Sequence, residues 1–253
     1  MNIVYYKIDC LTNLHMGSGD INYNIIDNEV EKDAISGLPV IHASGVKGAL
    51  KDAMKGRCDV EKVFGFSGSG DAGNPGSHKF LDAYLFSRPM RVSGSNRTSS
   101  ISVVTIDSVN RFLKQLSGFN MNPYGINEIS IPDFGDNEFL VMSDECIRVE
   151  DENTGKLQGE TLNQLKIIGN DLLGNSFAIA KNFDDYPLPV LARNYLENGI
   201  SKNLWYEEVV PHDSVFTFAV IYPDNAELNF PDVVQFGGNA SIGCGYCKIS
   251  KLI

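Results

Sequence analysis

The sequence predicts an α+β fold with mostly antiparallel strand pairing. Three observations carry that reading. Period-two stretches of β-branched and aromatic residues recur along the whole chain, three stretches with helical spacing lie among them, and glycine- and proline-rich breaks separate the two kinds. The order is strand, loop, helix, loop, strand, helix, insertion, strand, helix, two strands, glycine loop, strand. With no repeat at a fixed short period, the 253 residues are taken as one domain, 1–253, with an insertion at about 118–160.

Asn2–Thr12 alternates as the first strand and is broken by His15–Gly19. A polar loop carrying Asp20, Asp27 and Asp33 follows, tightening at Gly37-Leu38-Pro39 before a short basic helix that Ser44 is placed to cap. In that helix Val46, Ala49, Leu50 and Ala53 form an inward stripe, while Lys47, Lys51 and Lys55 repeat every four residues on another face. Glycines let backbone approach a ligand, carboxylates line the loop, and a helix start presents free N–H groups to an anion. A polyanion beside a carboxylate loop is the expectation, against the plainer reading of a strand–loop–helix connection.

Further on, Phe64–Ser77 is a glycine- and serine-rich loop, and Lys79–Val92 reads as a strand closed by Pro89. Ile101–Val104 is extended and Ile106–Leu116 helical. Phe119–Asp136 holds the breakers Pro123, Gly125, Pro132 and Gly135 and reads as an excursion from the core. Glu138–Val149 alternates into the acidic turn Glu150–Asn153, and Thr161–Leu173 is helical. Phe177–Lys181 and Pro189–Tyr195 are short extended pieces. Leu204–Val210 and Ser214–Tyr222 are strong strands, Asp232–Phe236 leads into a glycine loop at 237–245, and Tyr246–Ile253 closes the chain.

Hydrophobic content of 43% and charged content of 21% are ordinary for a globular protein. No apolar run approaches the roughly 18 residues of a membrane span, and no basic-then-apolar leader opens the chain, so a cytoplasmic protein is expected. Five cysteines (10, 58, 146, 244 and 247) fit reduced thiols better than a disulfide framework. Cys244-x-x-Cys247 lacks the second pair that a structural zinc site needs. Net charge is −11, which argues against indiscriminate nucleic-acid binding, but positive charge is concentrated locally. Ser44–Arg57 and Lys79–Arg97 each carry a balance of +3, whereas Glu128–Glu160 carries −8.

Gly237–Gly245 has neither the Gly-Lys-Ser/Thr ending of a phosphate-binding P-loop nor its strand–helix context. The four histidines form no zinc-hydrolase motif, and no nucleophile elbow appears. Glu207 and Glu208 are adjacent on a strand and so point to opposite faces, which separates them as a catalytic pair.

One combination of motifs is more specific. It runs from His15-x-Gly17-x-Gly19 through Asp27 to Gly37-Leu38-Pro39-Val40-Ile41, then Ser44 and Lys47-Gly48-Ala49-Leu50. Phe64-Gly65, Phe80-x-Asp82-Ala83-Tyr84-Leu85-Phe86 with Pro89 and Arg91, and Asn203–Pro211 continue it, and Gln235–Gly245 completes it. Together these resemble the RAMP superfamily of CRISPR RNA-binding proteins, and within it the backbone subunits of type III-B (Cmr) effector complexes. The resemblance thins between about 118 and 200.

It implies a ferredoxin-like (RRM-like) core with inserted loops and a thumb-like hairpin, for which Phe119–Phe134 and the acidic stretch after it are candidates. It implies as partners a CRISPR RNA, a target single-stranded RNA, further copies of the chain in a helical filament and other Cmr subunits. It also implies divalent-metal-dependent cleavage of the target, with Mg²⁺ or another divalent cation at Asp27. Asp27 is the matching catalytic position, although the acidic continuation Asn28-Glu29-Val30-Glu31 keeps Asp33 and Asp20 open as alternatives. RNA contacts are expected at His15, Gly17, Ser44, Lys47, Lys51, Arg91, Gly237, Gly238, Gly243 and Gly245. His15 also admits the reading of a turn residue that caps a strand. Other readings are a guide-binding scaffold that cuts nothing, the sister type III-A subunit, and an unrelated small-molecule-binding domain.

Overall fold

In the computed structural model the residues described are 2–19, 25–66, 73–94, 98–142, 148–169, 172–174, 176–224 and 226–253. Asp20, Arg97 and Cys146 therefore lie outside the described residues. The chain divides into two units, one of Met1–Tyr84, Leu188–His212 and Thr217–Ile253, the other of Leu85–Pro187 and Asp213–Phe216.

In the first unit β1 (Asn2–Cys10) buries Tyr6, Ile8 and Cys10 on one face, while Lys7 and Asp9 pair at 3.2 Å on the other. The last strand, β14 (Tyr246–Lys251), runs antiparallel to β1 and places Cys10 opposite Cys247. β13 (Val233–Gln235) pairs with the far side of β14, and β12 (Val215–Tyr222) flanks β1. Two short strands, β2 (Val40–Ile41) and β3 (Lys79–Phe80), bracket helices α1 (Ala43–Ala53) and α2 (Val60–Phe64) in sequence. Val46 and Leu50 of α1 are fully buried, as the inward stripe requires.

Apart from this sheet, β10 (Val190–Glu197) and β11 (Ile200–Glu208) form a two-stranded hairpin. Asn198 and Gly199 both take positive φ, the conformation that matches a two-residue turn to strand twist. Tyr195, Leu196, Ile200 and Leu204 are exposed along it.

In the second unit β4 (Ala83–Ser93, begun in the first unit), β5 (Ser100–Thr105), β9 (Phe177–Ala180), β6 (Phe139–Val141) and β8 (Thr154–Lys156) stand side by side in that order. β7 (Arg148–Val149) pairs with the end of β4. Most pairs are antiparallel, but β5–β9 and β6–β8 are parallel. Helix α3 (Ile106–Gly118) starts at a reciprocal cap between Thr105 and Ser108. Helix α4 spans Gly159–Gly169.

Several expectations are corrected. Pro89 does not end its strand: β4 continues past it, with Pro89 opposite Ser102. Ser44 does not cap α1, whose capping position is His42 with no side-chain bond; instead Asp82 Oδ1 accepts the Ala43 N–H at 2.6 Å. Phe119–Phe134 contains no strand. It packs inward through Ile129 and Phe134, and the Asn110 side chain pairs with both the N–H and the C=O of Ile129. Arg88, counted above as local positive charge, is buried with its guanidinium over the Phe183 ring and bonded to the Tyr186 carbonyl. Burial lowers its pKa to about 10. No described helix is long and apolar enough to cross a membrane.

The cap assignment is testable in the purified chain. Asp82→Ala should lower stability by about 1 kcal/mol, the usual worth of a helix cap. Ser44→Ala should change the denaturation midpoint by much less.

Candidate functional site

The site is built around the end of β11, where Trp205-Tyr206-Glu207-Glu208 alternates its side chains between two faces. One edge of β11 is taken by β10. The other is taken by the carboxylate loop. Asp27 donates its N–H to the Tyr206 carbonyl at 3.1 Å, and Asp27 Oδ2 accepts the Tyr206 N–H at 2.8 Å. Glu208 N–H then donates to the Asn28 carbonyl at 2.9 Å, giving a parallel bridge between Asn28 and Glu207. The Asp27 carboxylate thus stands where a neighbouring strand's carbonyl would. Oδ1 of the exposed Asp27 has no hydrogen-bond partner among the described residues.

Glu208 is buried and faces the same loop. Its Oε2 accepts the Val30 N–H at 3.0 Å, and Lys32 Nζ reaches Oε1 at 3.1 Å and Oε2 at 3.0 Å. Its carbonyl accepts His15 Nδ1–H at 2.8 Å, which fixes the proton on that nitrogen. His15 is buried and acts as a strut between the first turn and β11. Gly17 bridges antiparallel to Val30, so the His15 turn lies against the loop as well.

Glu207, on the opposite face, is buried among three donors: Trp205 Nε1 at 2.9 Å, Arg193 Nε at 3.1 Å and Asn239 Nδ2 at 3.0 Å. Burial alone would raise its pKa. The hydrogen bonds from Trp205 and Arg193, with the charges of Arg193 and His15, outweigh that and hold it below the usual glutamate value. Asn239 brings in the glycine loop. Gly238 N–H and Gly245 N–H donate to the carbonyls of His15 and Asn13, both within the first turn. Gly237 and Gly245 have positive φ, and an added Cβ would fall 2.2 Å from the His15 carbonyl oxygen and 1.9 Å from that of Phe236. Gly243 also has positive φ but faces open space.

His15, Gly17, Asp27 and the glycine loop with Gly237, Gly238, Gly243 and Gly245 are therefore gathered on one framework. Ser44, Lys47 and Lys51 lie on α1 and line a groove of about 510 Å³ with Phe64–Phe66, Asn74 and Pro75. There Lys47 Nζ donates to the Pro75 carbonyl at 3.1 Å and Lys51 Nζ to the Gly65 carbonyl at 2.7 Å. A second groove of about 470 Å³ runs between the Gly45/Gly48 side of α1 and Val233–Gln235, and it reaches Gly237. Asp27 lines neither groove. Arg91 belongs to the second unit, where it is exposed and pairs with Asp151 at 3.3 Å. Asp33 closes its own turn by accepting from Ser36 N–H and Oγ–H. Asp20 lies outside the described residues.

Sequence reasoning did not single out Lys32, Arg193 or Asn239, because each acts through a long-range partner. No group of three or more His, Cys, Asp or Glu side chains that could hold a metal ion occurs among the described residues. Cys244 Sγ lies 3.6 Å from the Arg193 guanidinium, and Cys247 Sγ 3.9 Å from Cys10 Sγ.

A family model described as the RAMP superfamily matches residues 7–248. A protein named CRISPR system Cmr endoribonuclease Cmr4, from Pyrococcus furiosus, is 22% identical, the match covering 95% of this chain and 92% of that one. Among solved structures, a type III-B Cmr-beta complex bound to cognate target RNA contains a chain with TM-score 0.79 at 20% identity, covering 99% of this chain and 97% of that one. Oligomeric Cmr4 from Pyrococcus furiosus gives 0.72 at 20% identity, covering 100% and 98%.

The framework generates two expectations. Gly245→Ala should cost at least ~2 kcal/mol, from left-handed strain plus displacement of the Phe236 carbonyl, and Gly243→Ala only about 1 kcal/mol; chemical denaturation of both variants reads the difference. Glu207 has a depressed pKa in the folded chain, so its contribution is present above the unfolded-state value of about 4.3 and lost as pH falls through the lower folded value. The melting temperature of Glu207→Gln should therefore fall less steeply than that of the parent below about pH 4.3.

Proposed function

The chain belongs to the RAMP superfamily, and from that premise we propose that it is a guide-RNA-binding backbone subunit of a type III-B (Cmr) effector complex that cleaves guide-paired target RNA. The observation that carries this reading is Asp27, an exposed carboxylate bonded to the Tyr206 backbone at a strand edge, with Oδ1 bonded to none of the described residues. The name of the Pyrococcus furiosus relative, matched over most of both chains, supports the ribonuclease assignment. Both units are taken as one RAMP domain with a ferredoxin-like core, because the family match runs through both. The exposed β10–β11 hairpin, in place of Phe119–Phe134, is the proposed thumb. A cytoplasmic location suits such a complex.

The chemistry asks little of the protein. RNA supplies its own nucleophile, the 2′-hydroxyl, and the protein must splay one nucleotide so that this oxygen lies in line with the phosphorus. Sequence choice then rests with guide–target pairing, and the protein reads backbone and shape. Lys47, Lys51 and Ser44, with the His15 turn, the glycine loop and Arg91, are the proposed backbone contacts. The two lysines exchange their bonds to Pro75 and Gly65 for phosphates.

A divalent cation fits this donor set only in part. One carboxylate oxygen is no cage, but Mg²⁺ characteristically keeps several waters and shares its remaining positions with phosphate. Asp27 Oδ1 is the atom that would hold it, and the ion would neutralise charge on the reacting phosphate. A single such carboxylate among the described residues equally suits a scaffold subunit that binds guide RNA without cutting.

Asp27→Asn separates the two readings, because the amide oxygen still accepts the Tyr206 N–H while the charge is removed. In the assembled complex with Mg²⁺, the variant should bind target RNA normally and cut it on the order of 10²–10⁴-fold more slowly. Cutting at the parent rate would leave the scaffold reading.

A further inference from the structure

We infer that Lys32 and Glu208 are positioning residues for Asp27, setting the cleavage rate without touching the RNA. The inference rests on the nuclease reading above and deepens it. Among the described residues Asp27 itself is held by its bonds to Tyr206, and its side-chain bond there is exposed. The following residues are held by backbone bonds, from Ser18 N–H to the Glu29 carbonyl, from Glu31 N–H to that of Met16 and from Val40 N–H to that of Glu31, and on the β11 side by one buried carboxylate. Glu208 is 4% exposed, and both of its oxygens are used by the loop: the Val30 N–H on Oε2 and the Lys32 ammonium across both.

The geometry makes this pair a clamp. Glu208 N–H holds the Asn28 carbonyl, so the loop is gripped on the residue after Asp27 and again at Val30 and Lys32. The Glu208 carbonyl is itself fixed by His15. A buried carboxylate that loses its cation is left with a large desolvation cost and must find water or another donor. Removing the Lys32 ammonium leaves the Val30 N–H as the loop's one bond to that carboxylate among the described residues, so Glu208 takes in water and the loop's hold on β11 beside Asp27 loosens.

The Lys32 side chain is 40% exposed, so a direct phosphate contact is the competing role, and the two differ in kinetics. A positioning group lowers kcat and leaves the target-RNA KM unchanged; a phosphate contact raises KM and the salt dependence of binding. The experiment measures single-site cleavage of target RNA by the assembled complex carrying Lys32→Met, Glu208→Gln, both changes together, or Lys32→Arg.

Lys32→Met should lower kcat on the order of 10- to 100-fold, with KM within about twofold of the parent. The double variant should be no slower than the slower single one, and Lys32→Arg should restore most of the rate. A raised KM with kcat intact, or a parent-like rate in Lys32→Met, overturns the inference. Glu208 is buried, so its variant can fail to assemble; the part-exposed Lys32 keeps the test decisive on its own. Asp27→Asn runs beside them. If it still cuts, the nuclease reading fails; if it is inactive while Lys32→Met cuts normally, only this inference fails.

Discussion

Strand β11 has a partner strand on one side only, and a bare edge would leave the N–H of the buried Glu208 unsatisfied. An unmade buried hydrogen bond costs roughly 1–3 kcal/mol, so a neighbouring segment must supply acceptors. Here Asn28 contributes a backbone carbonyl and Asp27 contributes its carboxylate. That requirement fixes Asn28, and Asp27 beside it is placed on the strand edge by its exposed bonds to Tyr206. The proposed catalysis depends on that placement.

Two consecutive glutamates do the surrounding work because a strand sends them to opposite faces. Glu207 ties Trp205, Arg193 and the glycine loop on one side, and Glu208 ties His15, Val30 and Lys32 on the other. Buried ion pairs add little net stability, since desolvation offsets most of the attraction. What they contribute is geometry: three segments far apart in sequence acquire a fixed arrangement around four residues of one strand. Gly237 and Gly245 permit the approach, since the carbonyls of His15 and Phe236 occupy the space of a Cβ.

The legible part of this arrangement was the part written locally. The alternation of Asn2–Thr12, the apolar stripe of α1 and the helix beginning at Ile106 follow from short-range pattern, and each element forms there. The cap of α1 was misread because its true acceptor, Asp82, is 39 positions from Ala43 and leaves no mark beside the helix. The extent of the β10–β11 hairpin was underestimated for a related reason. Exposed strands lack the buried alternation that reveals a strand, and only the Asn198-Gly199 turn signals it. His15, Asp27 and the glycines were recognised as a set, but the strut role of His15 and the clamp through Lys32 need the fold to be seen.

The most direct check on the central claim is residue-resolved amide hydrogen exchange of the purified chain. If β11 holds the carboxylate loop, the Val30, Tyr206 and Glu208 amides exchange together and far more slowly than an unstructured peptide. Exchange of Val30 at the unstructured rate, with Glu208 still protected, would mean that the loop is not bound to the strand and that nothing positions Asp27.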